Sequence, residues 1–159
     1  MEKISKHISY TEATRSNTAK KLGIPNDPNP SQLEAMKLLA EKVFEPVRKF
    51  FGVPIYVSSF FRSKKVNEAI KGANTSQHLC NNGAAMDLDA DVYGKISNKE
   101  IFLYILNNLE FDQLIWEFGT DSNPDWVHVS YKKTGNRHEP LVAYKDKNGK
   151  TSYKKYEKR

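Results

Sequence analysis

The sequence predicts an α+β fold in which N-terminal helices pack against a small antiparallel sheet that carries the candidate site. Segments with helical periodicity occur beside short segments rich in β-branched and aromatic residues. An Asn148-Gly149 pair between two such short segments is typical of a β-hairpin turn. Hydrophobic residues make up 38% and charged residues 28% of the 159 positions, which is ordinary for a globular chain. We therefore expect one domain over residues 1–159.

The longest predicted helix runs from Ser31 to Phe50. Ser31 and Glu34 have the spacing of a capping box, and Pro46 is expected to kink or tighten the helix. Apolar residues recur along it at helical spacing, namely Leu33, Met36, Ala40, Val43 and Val47.

The other elements follow in order along the chain. Ser97 and Glu100 predict the start of a second helix, which ends near Leu109. The predicted elements are a strand at 54–59, a short helix at 64–70, a strand at 84–89, the capped helix, strands at 113–118 and 126–131, and a hairpin formed by 142–144 and 152–153.

Two of the four histidines lie in segments that can bring metal ligands together. His78 lies in a predicted loop before the strand at 84–89, and His128 lies inside a later strand. The first of these strands carries Asp87 and Asp89, which period-two alternation places on the same face. Imidazole nitrogens and one carboxylate suit a zinc ion, and a catalytic zinc typically takes three protein ligands. The residues therefore indicate a zinc site, with either aspartate as the third ligand.

The single cysteine, Cys80, excludes an internal disulfide. It lies two positions after His78, which makes it an alternative ligand. Because two histidines and an aspartate already complete the set, we expect Cys80 to be a small half-buried side chain in a loop.

An ordered series of motifs over roughly residues 5–137 resembles the M15 zinc peptidases of peptidoglycan, especially their D-alanyl-D-alanine carboxypeptidase-like branch. No single motif is specific to this family, but the complete set in this order is. The motifs lie at 11–19, 43–48, 57–63 and 66–67, then at Ser76-Gln77-His78, Gly83-x-Ala85-x-Asp87, 111–115 and 126–130.

The resemblance implies which residues hold the metal. His78, Asp87 and His128 match the family's ligands for one Zn²⁺, and Asp87 is preferred to Asp89 because it completes the Gly-x-Ala-x-Asp pattern. The step from His78 to Asp87 is longer by two residues than is usual, and the extra residues fall in the turn-prone segment at 80–82.

The resemblance also implies catalytic roles. Asp125, three residues before His128, stands where the family has its catalytic acidic residue, and Glu117 is the alternative general base. Arg62 is expected to hold an oxyanion or a substrate carboxylate with its forked guanidinium. Ser76 and Gln77 are expected to contact substrate.

The implied function is hydrolysis of peptide bonds in the peptidoglycan stem next to a D-amino acid. D-Ala-D-Ala carboxypeptidase action and L-Ala-D-Glu endopeptidase action both remain open. The alternative is a zinc-holding module that binds the cell wall without turnover. Since both histidines, the ligand Asp87 and the candidate base Asp125 are present, the enzyme is the leading hypothesis.

Positive charge is concentrated at the C-terminus. From residue 131 onward there are ten Lys or Arg against three Asp or Glu, a net of +7, so the preceding residues carry −1 of the overall +6. The basic hairpin and tail at 138–159 are therefore expected to extend the domain and to attract anionic cell-wall polymers, unless the charges are merely solvated. No motif indicates specific nucleic-acid binding.

No apolar run is long enough to span a bilayer, so no membrane insertion is expected. The first residues, MEKISKH, lack the apolar segment of a signal peptide. The expected setting is synthesis in the cytoplasm and action on the cell wall after release, as in phage or prophage lysis, or as part of a virion.

Overall fold

A computed structural model describes residues 2–158 and confirms the α+β class. The N-terminal part contains a two-stranded ribbon and most of the helices. Its elements are β1 (Lys3–Ser5), β2 (Ile8–Ser9), α1 (Tyr10–Thr14), α2 (Asn17–Leu22), α3 (Pro30–Leu39), a π-helical segment (Ala40–Phe44) and α4 (Glu45–Phe51).

The rest of the chain supplies the main sheet and two further α-helices. Its elements are β3 (Tyr56–Ser59), α5 (Lys64–Ala69), a 3₁₀ turn (Gln77–Leu79), β4 (Ala84–Asp89), a second 3₁₀ turn (Ala90–Val92), α6 (Asn98–Asn108), β5 (Gln113–Glu117), β6 (Trp126–Tyr131), β7 (Glu139–Lys145) and β8 (Thr151–Lys155).

The capping box of the long helix lies two residues earlier than the sequence predicts. The Asn29 side chain accepts from the backbone N–H of Gln32, whose side chain accepts from the N–H of Asn29. Pro30 takes the first helical position, where its missing N–H costs no helical hydrogen bond. The prediction of a Ser31/Glu34 box is therefore wrong, because Asn-Pro gives an earlier start with the same reciprocal bonds. The Ser97/Glu100 box is confirmed.

The predicted disturbance at Pro46 takes the form of a π-helical segment over Ala40–Phe44. The N–H of Glu45 donates to the carbonyl of Ala40, five residues back, and α4 then begins with Pro46 in its first turn. A proline ring would collide with a carbonyl one regular turn before it, and the wider π turn is one way in which a helix accommodates such a residue. The helix therefore continues past Pro46 to Phe51.

The main sheet has six strands in the order β3-β4-β6-β5-β7-β8. All its neighbouring strands are antiparallel except β5 and β7, which run parallel. The sheet is thus larger than the small antiparallel sheet expected, because β7 adds beside β5 after a crossover. One face is buried with the helices in the core, where Met86, Trp116 and Val129 are fully buried. The opposite face carries the candidate site.

The C-terminal hairpin is part of this sheet. Its strands pair over Leu141–Lys145 and Thr151–Lys155 around the predicted Asn148-Gly149 turn. Tyr156, just after β8, packs against Phe102 with ring centroids 4.7 Å apart. Only 9% of Tyr156 is exposed. The segment after residue 138 is therefore anchored by core contacts. No helix within residues 2–158 has the length and apolar character that a membrane crossing requires.

Candidate metal centre

The two central strands bring the proposed ligands together. Asp87 on β4 and His128 on β6 are directly opposite each other in the antiparallel register, so their side chains leave the same face of the sheet. His78 lies in the 3₁₀ turn before β4, and the Ser76 hydroxyl caps that turn by accepting from the His78 N–H. Strand pairing thus fixes two of the three side chains, and a capped turn fixes the third.

The distances among these ligand atoms suit a small tetrahedral cation. Asp87 Oδ1 lies 3.3 Å from His78 Nε2 and 3.0 Å from His128 Nδ1. One ligand atom from each residue can be chosen so that all three lie within 4.8 Å of one another. Ligand atoms about 2.0 Å from a tetrahedral zinc are separated by about 3.3 Å. The nitrogen, nitrogen and oxygen donors therefore fit Zn²⁺ in both chemistry and spacing.

The backbone orients the His78 ring for this role. Its Nδ1 lies 2.7 Å from the carbonyl oxygen of Phe60. A carbonyl only accepts, so Nδ1 carries the proton and donates it, which leaves the Nε2 lone pair facing Asp87. Metal-binding histidines commonly donate such a hydrogen bond from the ring nitrogen that does not bind the metal, because the bond fixes both the tautomer and the ring orientation.

Neither of the other ligand candidates joins this group. The Asp89 carboxylate caps the turn after β4 by accepting from the Asp91 N–H, and it also accepts from the buried Asn98 amide. Cys80 is buried in the core, where burial raises the pKa of its thiol to about 12. A neutral thiol is a poor metal ligand. The structure therefore favours Asp87 over both.

The same histidines control the ionisation of Asp87. Burial by itself raises the pKa of this carboxyl, but the charges and hydrogen bonds of His78 and His128 outweigh burial and hold the pKa below its ordinary value. Asp87 is therefore a carboxylate over the whole physiological range. A cation in the same place would favour the charged form in the same way.

Glu117, and not Asp125, lies beside the ligand group. Glu117 is two residues along β5 from Ile115, which pairs with His128, so Glu117 and His128 are diagonal neighbours on one face, about 7 Å apart. Burial raises the pKa of the Glu117 carboxyl from 4.5 to about 7; His128 opposes the rise and Asp87 adds to it.

Asp125 lies in the turn before β6, is exposed and is not among the residues that line the cavity. Its backbone N–H donates to the Glu117 carbonyl, and its carbonyl accepts from the Asn98 amide. Both contacts are made by the Asp125 backbone and hold the turn. Because Glu117 lines the cavity and Asp125 does not, the geometry favours Glu117, the alternative base, over Asp125.

Arg62 is another residue that lines the cavity around the ligand group. Its backbone N–H donates to the carbonyl of His78, and its guanidinium Nη2 lies 3.4 Å from the Ser76 hydroxyl. Its Nε is buried and has no hydrogen-bond partner among the described residues. An unpaired buried donor is costly, and the guanidinium as a whole lines the cavity, where it can donate to an anionic or carbonyl oxygen of a ligand. Ser76 therefore positions Arg62 and the histidine turn at once.

Gln77 takes part in a buried network that the sequence did not reveal. Its amide donates to Asp112 Oδ2 at 2.9 Å, and Arg137 donates to the same carboxylate through its backbone N–H, Nε and Nη2. The Asp112 side chain is fully buried. Burial alone would raise its pKa, but the bonds from Arg137 and Gln77 lower it to about 2. The only sequence signal for a role of Asp112 in the site was its position in the motif at 111–115.

These side chains surround an open cavity of about 970 Å³ on the exposed face of the sheet. His78, Asp87, His128, Glu117 and Arg62 all line it. Strand β8 adds Thr151 and Tyr153 to its wall. The cavity is large enough for an extended peptide of several residues rather than a single amino acid.

One protein-family model matches most of the chain. The family model described as Peptidase M15 matches residues 6–130, which include the three proposed ligands, Arg62 and Glu117. No curated protein matches the chain.

Proposed function

The chain belongs to the M15 family of peptidases, and from that premise we propose that it is a zinc metallopeptidase that cuts peptidoglycan stem peptides next to a D-amino acid. The observation that carries the proposal is the group of His78, Asp87 and His128 in the floor of a peptide-sized cavity. The family match supports peptidase activity, and the donor set and its spacing support zinc.

The three ligands hold the ion in this proposal, and a bound zinc supplies polarisation of the scissile carbonyl and a more acidic water molecule. The chain's own part begins with His78, whose ring is fixed by the Phe60 carbonyl. Asp87 contributes the negative charge of the set. Strand pairing places Asp87 directly opposite His128, so these two ligands are carried by neighbouring strands of one sheet.

Glu117 acts as the general base in this mechanism. It faces the ligand group from the adjacent strand, and its carboxylate accepts a proton from the attacking water and passes it to the departing amine. A base is most effective when its pKa lies near the working pH, and burial raises that of Glu117 to about 7. Glu117 would be ionised more readily beside a bound cation, so its carboxylate would be available at neutral pH.

Arg62 stabilises the negative charge that develops on the carbonyl oxygen. Its guanidinium lines the cavity that contains the ligands, and its forked donors match the geometry of such an oxygen. Positive donors aimed at developing charge are commonly the largest electrostatic contribution to such reactions. Gln77, held by Asp112, forms the neighbouring part of the cavity and takes part in binding the peptide.

The proposed setting is lysis of a cell wall by a released enzyme. The resemblance to peptidases of peptidoglycan supports the substrate. Exposed lysines of the C-terminal segment give it a positive surface that suits anionic wall polymers. In this proposal the lysines bind the enzyme to the wall, and the residues in the cavity cleave the peptide.

Digestion of purified sacculi tests the proposed function. Zinc-loaded protein is incubated with sacculi, and the released muropeptides are analysed by mass. Loss of a terminal D-alanine identifies a carboxypeptidase, whereas release of a free stem or a shortened stem identifies an endopeptidase. A chelator-treated sample and the Glu117→Gln variant serve as controls. Binding to sacculi without any change in peptide mass would instead support the non-catalytic wall-binding module.

A further inference from the structure

The C-terminal hairpin forms one wall of the cavity although it lies outside the region that matches the family. The match ends at residue 130, whereas β7 and β8 cover Glu139–Lys145 and Thr151–Lys155. Leu141 of β7 and Thr151 and Tyr153 of β8 line the cavity. Residues outside the matched region therefore contribute to the cavity wall.

Strand register places Tyr153 in the same row as Glu117. Glu117 pairs with Ala143 on β7, and Ala143 pairs with Tyr153 on β8, so all three side chains project from one face. Neighbouring strands are about 4.8 Å apart, which puts the backbones of Glu117 and Tyr153 about 10 Å apart. The residue between them is the small, buried Ala143. A larger side chain there would fill the space between the phenol and the carboxylate.

The Tyr153 hydroxyl is available to a ligand. It makes no hydrogen bond within residues 2–158, and 54% of the residue is exposed. Its role is thus different from that of Tyr156, which packs in the core. Burial raises the pKa of the Tyr153 phenol, and Glu117 and Asp87 raise it further. The group remains a neutral hydrogen-bond donor at physiological pH.

We propose that Tyr153 is a substrate-binding residue whose hydroxyl donates a hydrogen bond to a peptide carbonyl oxygen of the substrate, on the Glu117 side of the cavity. This inference rests on the proposed function. The acceptor is a neutral carbonyl rather than a carboxylate, because a neutral phenol offers one uncharged donor, whereas a carboxylate binds more strongly to a charged donor such as the Arg62 guanidinium in the same cavity. Every extended peptide presents such carbonyls, and Arg62 is available for charged oxygens elsewhere in the cavity.

The test compares Tyr153→Phe with Tyr144→Phe in the zinc-loaded full chain. Tyr144 lies on the same hairpin, but it is one position along β7 from Ala143 and so projects from the opposite face. Both changes remove one phenol oxygen and keep the ring. Initial rates are measured with soluble muropeptides released from sacculi by a muramidase, and zinc content and the melting temperature are measured for each variant.

Tyr153→Phe is expected to raise KM about 5- to 10-fold while kcat stays within about 2-fold of wild type, because the hydrogen bond holds substrate and transition state alike. Tyr144→Phe is expected to change neither constant. Tyr153→Ala also removes the ring and is expected to raise KM further, with zinc content unchanged.

The outcomes separate the inference from the proposed function. If the wild type cleaves muropeptides and Tyr153→Phe leaves KM unchanged, the role of Tyr153 is refuted and the peptidase function stands. Equal losses in the Tyr153 and Tyr144 variants would also refute it, since they would show a general effect of the hairpin. If the zinc-loaded wild type cleaves no muropeptide, the proposed function fails and the inference falls with it.

Discussion

Replacing Glu117 by glutamine should inactivate the enzyme and stabilise the metal-free protein at the same time. Glu117 is only 8% exposed, and burial raises its pKa from 4.5 to about 7. Because the folded protein holds this proton more tightly than the unfolded chain, the stability from the protonated carboxyl is fully present below pH 4.5 and is lost as the pH rises through about 7.

The size of the effect follows from this difference in pKa. A tenfold change in a protonation equilibrium corresponds to about 1.4 kcal/mol, so ionising the buried carboxyl above pH 7 costs the fold about 3 kcal/mol. Glutamine resembles the neutral acid in shape and carries no charge. We therefore expect metal-free Glu117→Gln to exceed wild type by about 3 kcal/mol in free energy of unfolding at pH 8, and to match it near pH 4.5.

Urea unfolding of chelator-treated protein at the two pH values measures this difference. The gain corresponds to roughly 10 °C in melting temperature for a chain of this size. Muropeptide hydrolysis by the zinc-loaded variant should fall by about 10²-fold or more, because the residue that we propose as the general base is lost. Zinc content should be retained, since Glu117 is outside the ligand group.

Asp125→Asn is the matched control, because Asp125 is the other candidate base and is exposed. It should change neither stability nor turnover by much. The reasoning would be refuted if Asp125→Asn abolished turnover while Glu117→Gln remained active. Equal stability of metal-free wild type and metal-free Glu117→Gln at pH 8 would also refute the reasoning.

The ligand set, the buried carboxylate and the basic surface each give a further test. His78→Ala and His128→Ala should each lose zinc in elemental analysis, and full retention in either would contradict the assignment. Asp112→Asn should lower the free energy of unfolding by about 2 kcal/mol at pH 7. This difference should shrink as the pH falls from 3.8 towards about 2, because the wild-type carboxyl then takes up its proton. Equal denaturant midpoints of the two proteins at pH 7 would count against this prediction. Glutamine at three exposed tail lysines should weaken retention on sacculi at low salt but not at high salt, whereas the same change at three N-terminal lysines should not. The tail set is Lys147, Lys150 and Lys158, and the control set is Lys20, Lys21 and Lys49.

The sequence predicted the elements that depend on local pattern. The capped helix at Ser97, the strands that carry Asp87 and His128, and the Asn148-Gly149 hairpin are all confirmed. Periodicity and turn chemistry act over a few residues, so they can be read without the rest of the chain. The long helix shows that a local pattern can also be overlooked, because the Asn29/Gln32 capping box with Pro30 at the first helical position is itself a local signal, and the Ser31/Glu34 pattern was chosen instead.

The candidate metal ligands could also be predicted from the sequence, because the ordered set of motifs contains few histidines and aspartates that could bind a metal. For the general base, the same information favoured Asp125 and kept Glu117 as the alternative, whereas the geometry favours Glu117. Both are acidic and both are near the ligand segments in sequence. The register of β5 against β6 turns Glu117 into the cavity, while Asp125 lies exposed in the turn before β6.

By itself, then, the sequence determined the α+β class, the local elements and the residues suited to hold a metal. Only the tertiary structure decided the parallel pairing of β7 with β5, the burial of Asp112 under Arg137 and the position of Tyr153 across Ala143 from Glu117. These features depend on contacts between segments far apart in the chain. Strand order and the pKa of a buried acid are set by such contacts, and no local pattern of residues encodes them.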